Sequence, residues 1–281
     1  MIVRLRLILV AVAALFAGAG GVACARSPEP PRYELAEAYF RKGNFASAYL
    51  IALPAGHAGD PRAQYLLGLM SQRGLPPVTR DLDEAVRWFG HAAHKGHGDA
   101  QYALAQAFAR GEGVPVDKAR AIAWLERAAQ GGHTMSIMSL ARLHDEGIDF
   151  PRDRTIASGY VKRAAELGDT KAQVMFGERL AAGIGLDPDP EAGDRWILRA
   201  AELGEPLALI KLARRPLDKE GAQPSEFVAA HAYATFAEQK AEGELKDQAT
   251  ALKSDLAQRM TPTDLANAAD KLKSLTAPKR S

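Results

Sequence analysis

The chain has 281 residues, 47% hydrophobic and 25% charged, which is ordinary globular usage and excludes a disordered or collagen-like protein. Lysine and arginine number 36 against 34 aspartates and glutamates, for a formal charge of +2, which speaks against a nucleic-acid protein working through a general basic surface. The single cysteine excludes an internal disulfide framework, a CxxC redox site and any multi-cysteine zinc knuckle.

Residues 1–25 read as a secretory signal peptide. Arg4 and Arg6 precede an uncharged apolar run from Leu7 to Val22, and Ala23 and Ala25 supply the small residues that flank a cut after Ala25. The run is too short, and too rich in glycine at its end, for a comfortable membrane-spanning helix. The stretch Gly21-Val22-Ala23-Cys24 also resembles a lipobox, with Cys24 as the lipidated first residue, although Gly21 stands where a large aliphatic is wanted. Both readings export the protein: free in the periplasm in the first, anchored as a lipoprotein facing the periplasm in the second. Loss of residues 1–25 removes Arg4 and Arg6 and brings the net charge to zero.

A linker over 26–32 leads to a short helical hairpin over 33–60, with Gly43-Asn44-Phe45 as its tight turn. The next segment repeats. Trp88, Trp124, Tyr160 and Trp196 recur every 36 residues, each followed four residues later by an alanine pair, and then by Gly96, Gly132, Gly168 or Gly204. Ala63, Ala100, Ser136, Ala172 and Ala208 form a second column, with Leu67, Leu104, Leu140, Phe176 and Leu212 four positions on. The units span 61–99, 100–135, 136–171 and 172–207. Each predicts two helices. The first carries apolar residues at i, i+3 and i+4 and ends on glycine. A loop such as Gly111-Glu-Gly113-Val114 or Gly147-Ile148 follows, and Asp117, Asp153 and Asp189 stand at the N-cap of the second helix. The aromatic column is expected in the core, filling the gap toward the next unit. One such hairpin cannot bury its apolar face alone, so stacking must supply the other side.

Register fades over 208–243, where Pro216 ends a helix early, 217–224 is polar and His231-Ala-Tyr233 begins the last repeat-like helix. Residues 244–281 predict a cap of helices near 244–259 and 262–275, the second opened by Thr261-Pro262-Thr-Asp264. The whole reads as an all-α solenoid.

The columns A-x-x-x-L-G…G-x-G-V-x-x-D…A-x-x-W-x-x-x-A-A-x-x-G, nearly complete in 100–132, resemble the Sel1-like repeat family, relatives of tetratricopeptide repeats with a longer inter-helix loop. Gly193 departs from the alanine of the other units, Ala85, Ala121 and Ala157, and should weaken its helix slightly. The resemblance implies an exported, non-catalytic scaffold or adaptor of the bacterial envelope, in regulation or assembly. It leaves two alternatives open: a secreted penicillin-binding or β-lactamase-like enzyme, whose relatives carry paired cysteines absent here, and a peptidoglycan or polysaccharide binder.

No catalytic or cofactor-binding residue is expected. His91, His94 and His97 invite a metal site, but no carboxylate or cysteine completes it and the first two align with solvent-facing positions. Asp187, Asp189 and Glu191 lack the central glycine of a calcium loop and read as loop and cap residues. There is no Gly-x-Ser-x-Gly and no Ser-x-x-Lys to supply a serine nucleophile. What remains is a surface. If the units superpose on tetratricopeptide hairpins, the concave face lies two residues before and two after the leucine column. That gives Tyr65, Tyr102, Met138, Val174 and Ile210, and then Leu69, Gln106, Arg142, Glu178 and Arg214. The partner-binding residues expected from these columns are Tyr65, Tyr102, Gln106, Met138, Arg142 and Glu178. The variable second column mixes charge signs, so the expected partner is an envelope protein or peptide rather than a nucleic acid. A membrane is expected only through lipidation at Cys24, and the protein is expected to be a monomer.

Overall fold

Alanine pairs at a helical spacing let neighbouring helices approach closely, and the computed structural model, which describes residues 32–277, is built on that contact. The segment 1–31, with the signal-peptide and Cys24 expectations, lies outside the described residues. Among the described residues every regular element is an α-helix. An N-terminal hairpin pairs α1 (Arg32–Arg41) with α2 (Phe45–His57). Four hairpins follow: α3 (Pro61–Arg73) with α4 (Leu82–His94), α5 (Gly98–Arg110) with α6 (Lys118–Gln130), α7 (Thr134–Glu146) with α8 (Arg154–Glu166), and α9 (Thr170–Ala182) with α10 (Pro190–Glu202). Each helix packs on the one before and the one after, as a solenoid requires.

The second helices start where the aspartates predict. Asp81, Asp117, Asp153 and Asp189 accept the backbone N–H of Glu84, Arg120, Ile156 and Ala192 at 2.8, 2.9, 3.0 and 2.8 Å. Each such cap contributes about 1 kcal/mol by satisfying an N–H that the helix itself leaves unpaired. Two of the first helices, α5 and α7, use a cap the sequence reading missed, while Asp60 and Asp169 cap α3 and α9. His97 and His133 accept from Ala100 and Ser136 through Nδ1, both at 3.3 Å.

The aromatic column is half-buried, not sealed in the core. Full burial falls one residue later, on Phe89, Leu125, Val161 and Ile197. Two of the rings reach back to the preceding hairpin, while Tyr160 and Trp196 meet His144 and Phe176 of their own hairpins. Trp88 meets His57 of α2 at 5.4 Å, and Trp124 meets His94 of α4 at 5.2 Å. A residue on the second helix can thus cover the last turn of the previous second helix, while its neighbour, 100° further round, drops into the hairpin interior.

Gly193 has a packing role. A Cβ there would fall 2.5 Å from the carbonyl oxygen of Gly177, and one on Gly177 would fall 2.6 Å from that of Gly193. The two glycines let the backbones of α9 and α10 touch, which offsets the propensity cost of glycine inside a helix.

The C-terminal part departs from the repeat. Helix α11 (Pro206–Arg214) is short, and α12 (Pro224–Lys240) begins seven residues before His231. Pro224 occupies the first turn, and Gln223 and Glu226 form a reciprocal capping box that starts the helix there. Helices α13 (Gly243–Ala257) and α14 (Pro262–Thr276) fold back on this pair. Ala249, Leu252 and Leu256 are buried against Leu209, Ala213 and Phe236, which closes the apolar end of the array.

Candidate partner-binding face

The first helices of successive hairpins present their exposed residues side by side, so any groove on this face is built from α3, α5, α7, α9 and α11. The structure brings Tyr102, Gln106 and Arg142 together. They line one cleft of about 350 Å³ at the seam where α5 and α6 meet α7. Met138 and Arg142 line a second, of about 380 Å³, between α7 and α9, together with Met135, Met175 and Arg179. Arg142 and Ser139 border both, so the two clefts form one continuous strip across the second, third and fourth hairpins.

Tyr65 and Glu178 are not part of that strip. The Tyr65 ring stacks on His97 at 4.9 Å and tilts against Phe89 at 5.8 Å. Burial, and then the carboxylate of Asp99, pushes its phenol above the ordinary range. Glu178 pairs with Lys211 of the next first helix. Two other members of the expected columns face inward: Val174 and Ile210 are 1% and 4% exposed and belong to the core under α9 and α11. Of the expected columns, the residues exposed on one strip are thus those of the middle units, while Tyr65 in the first unit and Val174 and Ile210 toward the C-terminus are taken up in packing.

The electrostatics of the strip are mixed. Arg142 bonds Glu146 one turn along α7 at 3.1 Å, Lys118 bonds Asp149 at 2.7 Å, and Arg110 comes no closer to Glu112 than 3.8 Å. Beneath the second cleft lies a buried polar network that the sequence reading did not identify. Arg179, 8% exposed, donates to Asp145 at 3.2 Å and to the Ser158 hydroxyl at 2.9 Å, while Ser158 donates to the carbonyl of Ile184 at 2.7 Å. These four residues come from α7, α8, α9 and the following loop, and no local motif links them.

The histidines singled out for a metal have other partners. His97 caps α5, His94 lies edge-on to Trp124, and His91 lies edge-on to Trp88 at 6.2 Å. Asp187 and Asp189 flank the turn into α10, with Asp189 as its cap.

Comparison with known proteins follows the same lines. The Sel1 repeat family matches over 61–97, 98–133, 134–169 and 170–205, just over half of the chain. No curated protein matches. A Sel1 repeat protein from Oxalobacter formigenes, 21% identical, superposes with a TM-score of 0.64 over 87% of this chain and 98% of its own. A protective antigen of uropathogenic Escherichia coli displaying an SLR fold, 23% identical, gives 0.60 over 87% of this chain, which spans 59% of the antigen. An immunity protein from Pseudomonas aeruginosa, 15% identical, gives 0.43 over 81% of this chain and 84% of its own. The first two likenesses speak to fold alone.

Proposed function

The chain belongs to the Sel1 repeat family, whose members generally serve as protein-interaction scaffolds, and on that premise we propose that it is a non-catalytic scaffold of the bacterial cell envelope. In this reading it holds a partner protein or peptide on its first-helix face, through Tyr102, Gln106, Met138 and Arg142. The observation that carries it is the convergence of Tyr102, Gln106 and Arg142 on one cleft, with Met138 continuing the strip beside it. A strip of this kind supplies what interface anchors need: an aromatic ring, a flexible thioether and a guanidinium around a concave apolar floor.

The envelope address rests on the Arg-flanked apolar run and Ala23-Cys24-Ala25. Among the described residues no helix is long and apolar enough to cross a membrane. Intact-mass measurement of the envelope fraction should find a chain starting at Arg26, or one lipidated at Cys24. A chain starting at Met1 in the cytoplasm refutes the address.

The binding face is tested by replacing Gln106 and Arg142 together with alanine. Both are surface residues outside the buried clusters, so the helical melt should stay within about 0.5 kcal/mol of the parent. Capture of the envelope partner should fall at least about tenfold, as loss of central anchors does. Undiminished capture moves the site to the second-helix face or the C-terminal cap.

A further inference from the structure

The loop that follows each first helix meets the start of the second helix in the preceding hairpin. In two of the three seams between repeats that meeting is a backbone contact. A Cβ on Gly113 would fall 2.3 Å from the carbonyl oxygen of Leu82, the first residue of α4. A Cβ on Gly185 would fall 2.2 Å from that of Arg154, the first residue of α8. The residue at the same position of the third hairpin, 36 along from Gly113 and 36 before Gly185, is Asp149. It holds φ at +61°, the only non-glycine with positive φ among the described residues. Because Asp149 has a Cβ, this loop cannot sit as close to Lys118, the first residue of α6, as its two counterparts sit to theirs. The separation is bridged instead by the Asp149 carboxylate, which accepts from Lys118 Nζ at 2.7 Å.

The cleft of about 350 Å³ lies at this place, and both Lys118 and Asp149 line it. The side chains that close the next seam are missing here. Asp145, Ser158 and Arg179 clasp the third and fourth hairpins, and their counterparts 36 residues earlier are Ala109, Ile122 and Leu143. All three line the cleft. Its floor is therefore apolar, and its rim carries three cations: Lys118 and Arg142 are paired with Asp149 and Glu146, and Arg110 stands 3.8 Å from Glu112.

We infer that Asp149 wedges open the seam between the second and third hairpins, making a cleft that takes an acidic, apolar peptide segment of the partner protein. One aliphatic side chain of the segment fills the pit over Ile122 and Leu143. An adjacent aspartate or glutamate meets the cationic rim, chiefly Arg110, whose own acid is the most distant. The volume sits at the small end of ligand pockets, which run from about 300 to 1,000 Å³, and so suits a short linear segment rather than a folded surface. Charge complementarity gives the class: a basic segment would face three cations, and a purely apolar one would leave Arg110, which stands 3.8 Å from its nearest acid, without a hydrogen-bonded partner. This deepens the scaffold reading and rests on it.

The test uses the purified protein and a phage-displayed library of random dodecapeptides, followed by anisotropy titration of an enriched peptide. Enriched sequences should pair leucine, isoleucine or valine with a neighbouring aspartate or glutamate. Asp149→Gly removes the wedge, lets the loop close on Lys118, and should weaken the peptide at least about tenfold while raising the melting temperature. Asp149→Asn keeps the Cβ and tolerates the same φ, so it should bind within about twofold of the parent. Ile122→Trp, which fills the pit directly, should bind as poorly as Asp149→Gly. Enrichment of basic peptides, or full-strength binding by Asp149→Gly, overturns the inference. If the Gln106 and Arg142 double variant loses the peptide while Asp149→Gly keeps it, the wedge fails and the scaffold reading survives. If neither variant loses it, both fail.

Discussion

The seam between the second and third hairpins and the seam between the third and fourth are built from the same columns, yet they close in opposite ways. At the later seam a buried guanidinium, a carboxylate and a hydroxyl knit α7, α8 and α9 together, and Gly185 rests on the backbone of α8. Gln173 adds a buried bond from its amide to the carbonyl of Ala165 at 3.2 Å. Gln101 and Gln64 make the equivalent bonds at the two seams nearest the N-terminus, at 3.1 and 3.0 Å. At the seam between the second and third hairpins the glutamine position is Ile137, fully buried, and the polar clasp is replaced by Ala109, Ile122 and Leu143. Its polar ties run through pairs with at least one exposed member instead: Lys118 to Asp149, Arg163 to the carbonyl of Gln130 at 3.2 Å, and the His133 ring to Asp99 at 3.1 Å. Buried polar bonds in a low-dielectric setting hold geometry tightly, whereas exposed ion pairs contribute about 0–1 kcal/mol each. The same columns thus give one seam a polar floor and its neighbour an apolar one.

Three measurements sharpen or break this contrast. The largest effect belongs to Gly185→Ala, which puts a Cβ against the Arg154 carbonyl at a left-handed φ of +65°. We expect a loss of about 3 kcal/mol in a denaturant melt. The mirror change, Asp149→Gly, should stabilise by about 0.5–1 kcal/mol, since relief of the left-handed strain exceeds the exposed ion pair it forfeits. If both changes move stability in the same direction, the two loops are not set apart as described.

Next comes Arg179→Met, which leaves Asp145 and Ser158 without their donor. Breaking a sealed pair costs about 3–5 kcal/mol. The Asp145 side chain retains 26% exposure, so water recovers part of that, and about 2–3 kcal/mol is expected. Leu143→Met, at the matching position of the open seam, should cost under about 1.5 kcal/mol by the same melt. Equal losses would mean the clasp contributes no more than shape.

The smallest effect concerns the seam between the first and second hairpins, where His97 caps α5 beneath Tyr65. Burial holds the His97 imidazole below its ordinary value, against the opposing pull of Asp99. His231 is held down in the same sense by burial and then by Lys253. Both groups are depressed when folded, so the unfolded chain takes up protons first as the pH falls. Their contribution is complete above the unfolded value of about 6.5 and is lost progressively below it. Melts at neutral and mildly acidic pH should show this decline, and His97→Asn, which can keep the cap, should flatten part of it. An unchanged slope would place the pH dependence elsewhere.

Much of this architecture was legible in the sequence. Columns of alanine, aspartate and glycine each answer to a local requirement: close helix approach, an unpaired N–H, or a positive φ. Such requirements recur with the repeat and can be read without knowing the neighbours. The Tyr102, Gln106, Met138 and Arg142 positions were legible for the same reason, since their spacing from the leucine column fixes the side of the helix they occupy. The side on which Trp124 seals the array was not. Residues 124 and 125 sit at adjacent edges of one apolar stripe, and only the stacking angle of the previous hairpin decides which is buried. Nor was the Arg179 network legible, because its members are brought together from three helices and a loop. The start of α12 at Pro224 was missed because the capping box there is opened by glutamine, a less usual cap residue.

The half-buried aromatic column gives the array a built-in set of optical reporters. Trp88 sits beside α2, Trp124 beside α4, and Trp196 against the cluster shared by the third and fourth hairpins. The indoles therefore stand at successive hairpins, and because coupling in a solenoid runs between nearest neighbours, fraying from one end should change their emission one after another. At the junction that holds the cleft the column carries Tyr160, packed against the cluster that contains Leu125 and Ala129. A Tyr160→Trp substitution would add a fourth reporter on the cluster that borders the cleft, beside the signal of Trp124.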